Sequence, residues 1–325
     1  MCSVASEPDM ADAPILADGL AAYIDAVRRP SGPPLSLEAV RLYADLTAHR
    51  IAGPRPAGMQ VTDSHVATQM GETAVRIYRP DAVGPQPAIL YLHGGGFTQG
   101  SIESYDILSA ALAEAAGASV VSVHYARLPE STPRATLAQC HDVLRWMRRN
   151  ADMLGIDAGS IAVAGDSAGA FLATHLAVAV RDAEEPPLVC QLLCYGVYDL
   201  DPARPAYANS RDPVLSRGVI DAIIATYRGC DTRDAPPLPP PLALPDLSGL
   251  PPAILLGAEH DPMLEEGRAY AERLRAAGAP VTERVAPAMC HGFLRALRFC
   301  PAAGDEMQWL GTAFRDHLQH QKELT

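Results

Sequence analysis

Gly165-Asp166-Ser167-Ala168-Gly169 directly follows the apolar run 161–164 and directly precedes the helix-like stretch 171–180. A G-x-S-x-G pentapeptide between a strand and a helix is a nucleophile elbow. The small residues have a physical job. A sharp strand-to-helix turn brings two backbones together and strains the serine, so a side chain at either glycine would clash. The N-terminus of the following helix favours negative charge developing beside the serine. The competing reading is a structural glycine-rich turn; the strand before it and the helix after it favour catalysis by Ser167.

A second glycine cluster points the same way. His93-Gly94-Gly95-Gly96-Phe97 follows the apolar run 88–92. The three glycines expose backbone N–H groups, and with the Ala168 N–H they can form an oxyanion hole. A dinucleotide loop fails on spacing, because Gly94, Gly96 and Gly100 do not give G-x-G-x-x-G. His93 is read as holding the loop's shape through hydrogen bonds.

Two partners lie downstream. The strand-like run 253–256 leads into Gly257-Ala258-Glu259-His260-Asp261-Pro262. An acid just past a strand's carboxyl end suits a catalytic triad; Asp261 is the first choice and Glu259 the second. The run 281–285 leads into a loop with Cys290-His291-Gly292-Phe293. His291, on a loop after the last strand, is the best base. The chain order is then Ser167, Asp261, His291. His124, His141, His175 and His260 lack that placement, and no metal-ligand spacing such as H-E-x-x-H occurs. Cys290, next to the base, faces the pocket or is a buried inert thiol. Cys190 and Cys194 are expected in the core.

Further out, short apolar runs at 74–78, 88–92, 119–123, 161–164, 188–193, 253–256 and 281–285 alternate with helical stretches such as 107–116 and 137–150. That alternation predicts an α/β fold, a mostly parallel sheet flanked by helices. The first strands lack helices between them, so that edge is expected to be antiparallel. Residues 1–55 read as helical: Ile15, Leu16, Leu20, Tyr23, Ile24 and Val27 recur at helical spacing, and Ser36 can cap a second helix. From 199 to about 252 the alternation breaks for longer than an ordinary connection, with a helix-like piece at 219–227 and a proline-rich stretch at 236–245. We divide the chain into a helical cap segment (1–55), a core (56–198), a cap insertion (199–235) and the rest of the core (236–325). The cap is expected over the carboxyl ends of the strands, where open α/β sheets place their sites.

Composition excludes other classes. The chain has 325 residues, with 26 basic and 38 acidic side chains and a formal net charge of −12. Phosphate backbones need clustered Lys and Arg, so nucleic acid is a poor partner. Seven cysteines without a repeated spacing argue against a disulfide framework or a zinc site. The N-terminal stretch has no basic start for a secretory signal. No apolar run reaches the roughly 18 residues of a membrane span. The expectation is a protein of the cytoplasm without metal or organic cofactor.

Taken together, HGGGF, GDSAG, the insertion before the acid, residues 258–267 around the acid and the terminal His-Gly-Phe resemble the hormone-sensitive lipase-like esterases, also called bacterial family IV. The resemblance covers nearly the whole chain and implies an α/β-hydrolase fold with a helical cap. The implied activity is cofactor-free hydrolysis of short- to medium-chain or small-alcohol carboxylic esters through an acyl-enzyme. It assigns Ser167 as nucleophile, Asp261 as acid, His291 as base and Gly95, Gly96 and Ala168 as oxyanion donors, with Gly94 shaping the loop. Two departures stand out. The arginine of the usual Tyr-Arg-Leu-Ala-Pro-Glu is displaced by one, giving Tyr125-Ala126-Arg127-Leu128-Pro129-Glu130, and Ala170-Phe171 replaces Gly-Asn after GDSAG. Phe171, with Phe97, is expected to touch substrate. Amide hydrolysis, lactone opening and acyl transfer on the same triad remain alternatives. A lipase at lipid interfaces is less favoured by the acidic composition, and a non-catalytic ligand binder is weaker still. Oligomeric state, a homodimer included, is left open.

Overall fold

The computed structural model describes residues 14–324, apart from 30, 31, 34 and 231–235. The first thirteen residues of the expected cap segment, with Cys2, and the end of the expected insertion lie outside the described residues.

One eight-stranded sheet organises the chain. Its strands are β1 (Gln60–Thr68), β2 (Gly71–Arg79), β3 (Gln86–Leu92), β4 (Ser119–Val123), β5 (Ile156–Asp166), β6 (Gln191–Cys194), β7 (Ala253–Ala258) and β8 (Val281–Ala286). Their spatial order is β1-β2-β4-β3-β5-β6-β7-β8. β2 runs antiparallel to β1 and β4, and β3 to β8 run parallel. The antiparallel edge is the one expected where helices are missing from the sequence pattern.

Side chains alternate across the sheet, as strand geometry requires. Leu90, Leu92, Val163 and Leu193 enter one core with the helices Pro133–Arg149, Ala168–Asp182 and Leu264–Ala276. Ile89, Tyr91, Ala164 and Leu192 enter the other, under the helices Asp106–Ala116 and Pro301–Leu324. Both faces are covered, so the central strands are mostly apolar, with Gln86, Ser119, Ser122 and Gln191 as buried polar exceptions.

β1 has no counterpart in the sequence reading. Gln60–Thr68 alternates polar residues with few apolar ones, and Val66 is its one buried residue. Its full-length ladder with β2 supplies what apolar burial does not.

Two N-terminal helices lie over the sheet's carboxyl end. The helix Leu20–Val27 buries Leu20, Tyr23 and Ile24. The helix Leu37–Ile51 is capped by Ser36, whose side chain accepts the Ala39 N–H. It is tied down by Arg41, which donates to the carbonyls of Thr98 (2.7 Å) and Leu128 (2.9 Å) and pairs with both oxygens of Glu130. From the insertion, the helix Arg217–Gly229 turns Ile220, Ile224 and Tyr227 inward. The proline-rich stretch after it is bonded to core helices: His175 Nε2 lies 2.9 Å from the Pro239 carbonyl, and Arg273 donates to those of Leu242 and Leu244.

Candidate active site

At the end of β5 the chain turns sharply into the helix Ala168–Asp182, and Ser167 sits at the turn with φ 52° and ψ −121°. The two glycines permit this. A Cβ on Gly165 would lie 2.4 Å from Gly169 backbone, and one on Gly169 would lie 1.9 Å from the Leu92 carbonyl oxygen. The Ser167 N–H donates to the Cys194 carbonyl at 2.9 Å, which ties the elbow to β6. A non-glycine residue at positive φ is costly and holds only where its surroundings dictate it.

Three side chains distant in sequence meet here. His291 Nε2 lies 2.8 Å from Ser167 Oγ, and His291 Nδ1 lies 2.7 Å from Asp261 Oδ2. The Met263 N–H donates to the other oxygen of Asp261, Oδ1. Glu259, the second choice for the acid, is exposed and accepts the Ala288 N–H instead. The Tyr195 ring packs edge-on against the imidazole at 5.2 Å. Burial pushes the His291 imidazole down, but Asp261, Asp212 and Asp166 more than offset this and hold it at about 9.

The sequence reading missed Asp212. This buried residue of the insertion accepts the His291 backbone N–H at 2.6 Å through Oδ2, and the Val214 and Leu215 N–H groups through Oδ1. Burial raises its pKa, and nearby His291 opposes the rise.

The glycine loop lies beside Ser167. Gly95 and Gly96 line the same cavity as Ser167 and His291. Of the three loop glycines expected to expose their N–H groups, Gly94 does not, a correction: its N–H donates to Asp166 Oδ1 at 2.7 Å, which holds the loop's shape. Asp166 also accepts the hydroxyls of Tyr91 (2.7 Å) and Tyr105 (3.2 Å), so the elbow's own acid fastens the glycine loop. His93 is fully buried, stacks on Tyr125 and places Nδ1 2.8 Å from the Gly94 carbonyl. Burial drives its imidazole down to about 3, so it is neutral. The displaced Arg127 donates to the Gly100 carbonyl at 2.6 Å and so holds the far end of this loop.

Phe97 and Phe171 are not pocket walls, a second correction. Both are buried, their rings 5.2 Å apart and edge to face, and Tyr227 of the insertion helix closes on both. They are core residues that seat the insertion on the sheet. Cys290 is 1% exposed and does not line the cavity, and burial raises its thiol pKa. Cys190 and Cys194 are buried in the core beneath the sheet.

The cavity above Ser167 measures about 640 Å³. The N-terminal helices contribute Tyr23, Val27 and Ala44, and the insertion contributes Val214, Leu215, Val219, Ala222 and Ile223. Ile223 sits directly on the glycine loop: a Cβ on Gly96 would lie 2.9 Å from its Cγ1. Among the described residues, no group of His, Cys, Asp and Glu is arranged to hold a metal. No described helix is long and apolar enough to cross a membrane.

A family model described as alpha/beta hydrolase fold matches residues 89–295, which include Ser167, Asp261 and His291. The chain belongs to this family, the hormone-sensitive lipase-like α/β-hydrolases. Its relatives include carboxylesterase NlhH of Mycobacterium tuberculosis, 43% identical over 71% of this chain and 74% of the relative. Ethyl acetate hydrolase of Pseudomonas putida is 33% identical over 92% of this chain and 98% of the relative. Among solved structures, an ester hydrolase from the metagenome of Lake Arreo superposes with a TM-score of 0.83 at 30% identity, covering 94% of this chain and 99% of that one. A hyperthermophilic esterase from Pyrobaculum calidifontis gives 0.79 at 30% identity, covering 87% and 94%.

Proposed function

We propose that this hydrolase is a serine carboxylesterase working through an acyl-enzyme. The observation that carries this reading is the unbroken chain Ser167–His291–Asp261, at 2.8 and 2.7 Å, at the wall of a cavity large enough for a small ester. The carboxylesterase and esterase names of its relatives support it.

Ser167 Oγ attacks the ester carbonyl while His291 Nε2 takes its proton. Asp261 accepts the Nδ1–H, which fixes the tautomer and stabilises the imidazolium. The oxyanion forms against the N–H groups of Gly95, Gly96 and Ala168, each worth roughly 3 kcal/mol in the transition state. His291 protonates the departing alcohol, and water then releases the acid by the reverse sequence. The helices Leu20–Val27, Leu37–Ile51 and Arg217–Gly229 form the cap, whose apolar side chains suit short- to medium-chain acyl groups or small alcohols.

Hydrolysis of p-nitrophenyl esters from acetate to palmitate, with Ser167→Ala beside the parent, tests this reading. The parent turns over the short esters and the variant does not. A folded variant that matches the parent rate overturns it.

A further inference from the structure

Arg295 stands out on the cavity wall. It lies on the turn Phe293–Ala296, shortly after His291, and lines the same cavity as Ser167 and His291. Its guanidinium carbon is 5.0 Å from the centre of the Tyr105 ring. Among the described residues it is the one arginine that is not exposed and has neither a hydrogen bond nor an ion pair to another protein group.

The neighbouring acids are already engaged. Asp166, the one carboxylate on this cavity wall among the described residues, is bonded to Tyr91, the Gly94 N–H and Tyr105. Asp106, nearby, is held by Arg55, Arg76 and Tyr78. Glu103, which lines a pocket with Arg295, is held by Arg76. Asp166 acts on Arg295 only at a distance, without a hydrogen bond or ion pair. A part-buried guanidinium with no direct anion costs stability, and an enzyme keeps such a group where a ligand completes it. In a largely apolar pocket, a single convergent polar group sets which ligand binds and how it lies.

We propose that Arg295 binds a carboxylate carried by the substrate, so that the preferred esters are monoanions. These are half-esters of dicarboxylic acids or esters of hydroxy acids. The inference rests on the esterase reading above and specifies its substrate. A carboxylate matches the planar fork of one guanidinium in two parallel hydrogen bonds. One unpartnered cation balances one negative charge, which favours a carboxylate over a phosphate dianion. Tyr23, from the N-terminal helix, lines the same wall and presents a phenol beside Arg295.

The test compares kcat/KM within two pairs of esters at constant ionic strength. Monomethyl adipate against methyl hexanoate places the charge on the acyl side, and 4-acetoxybutyrate against butyl acetate places it on the alcohol side. The wild type is expected to prefer the anion in one pair, and Arg295→Gln to cut that preference about tenfold or more. Arg295→Lys keeps part of it. A wild type that hydrolyses the neutral esters but favours the anion in neither pair overturns the proposal, as does an Arg295→Gln variant that retains the preference. If no ester is turned over, the esterase reading itself falls. Calorimetry with hexanoate then decides on Arg295: affinity lost in Arg295→Gln supports the site, and equal affinity refutes it.

Discussion

Asp212 Oδ2 accepts the backbone N–H of His291 at 2.6 Å, across 79 residues of sequence. The carboxylate comes from the insertion and the amide belongs to the proposed base, so the segment that closes the cavity also fixes the histidine loop. Its other oxygen takes the Val214 and Leu215 N–H groups. The geometry makes Asp212 a positioning residue that also adds negative charge near the imidazole.

The His291 imidazole is held at about 9, and it must be neutral to take the Ser167 proton. Activity is therefore lost as pH falls through that value, and kcat/KM rises toward an alkaline plateau. Asp212→Asn removes one of the charges that raise the value, so the rising limb moves to lower pH by about one unit. Superimposable pH–rate profiles for parent and variant would dismiss the electrostatic role.

Asp261→Asn is expected to reduce kcat by about 10³–10⁴-fold, because the imidazole loses the acceptor that fixes its tautomer. Glu259→Gln, whose partner is the Ala288 N–H, should change kcat little. The opposite ranking would transfer the acid's role to Glu259.

Gly169→Ala places a methyl 1.9 Å from the Leu92 carbonyl oxygen. The main chain must shift, so the variant should lose about 3 kcal/mol of stability. Urea unfolding that overlays the parent curve would contradict the packing described at the elbow.

Thiol reagents should leave the native protein active and Cys290 unlabelled, because its sulfur is buried and its thiolate disfavoured. Rapid labelling of Cys290 with loss of activity would place that thiol in the pocket.

The sequence exposed those parts of the site that depend on local backbone. Gly165 and Gly169 announce a crossing too close for a side chain, and Ser167, Asp261 and His291 each stand just past the end of a strand. The remainder is tertiary. β1 is nearly all polar and owes its strand to the ladder with β2. Phe97 and Phe171 read as pocket residues because nothing local shows that Tyr227 covers them. Gly94 looked like its neighbours until its N–H met Asp166. Asp212 bonds to a backbone group, so no motif marks it. Arg295 matters because the acids near it are bonded to other groups, a fact of three-dimensional packing.

Covalent trapping tests the proposed mechanism most directly. The native protein would be treated with a p-nitrophenyl alkylphosphonate, digested, and its peptides weighed. The phosphonyl group is expected on Ser167 alone, at one per chain, with activity falling in step. Inactivation with the adduct on another residue, or full activity with Ser167 modified, would contradict a nucleophilic Ser167.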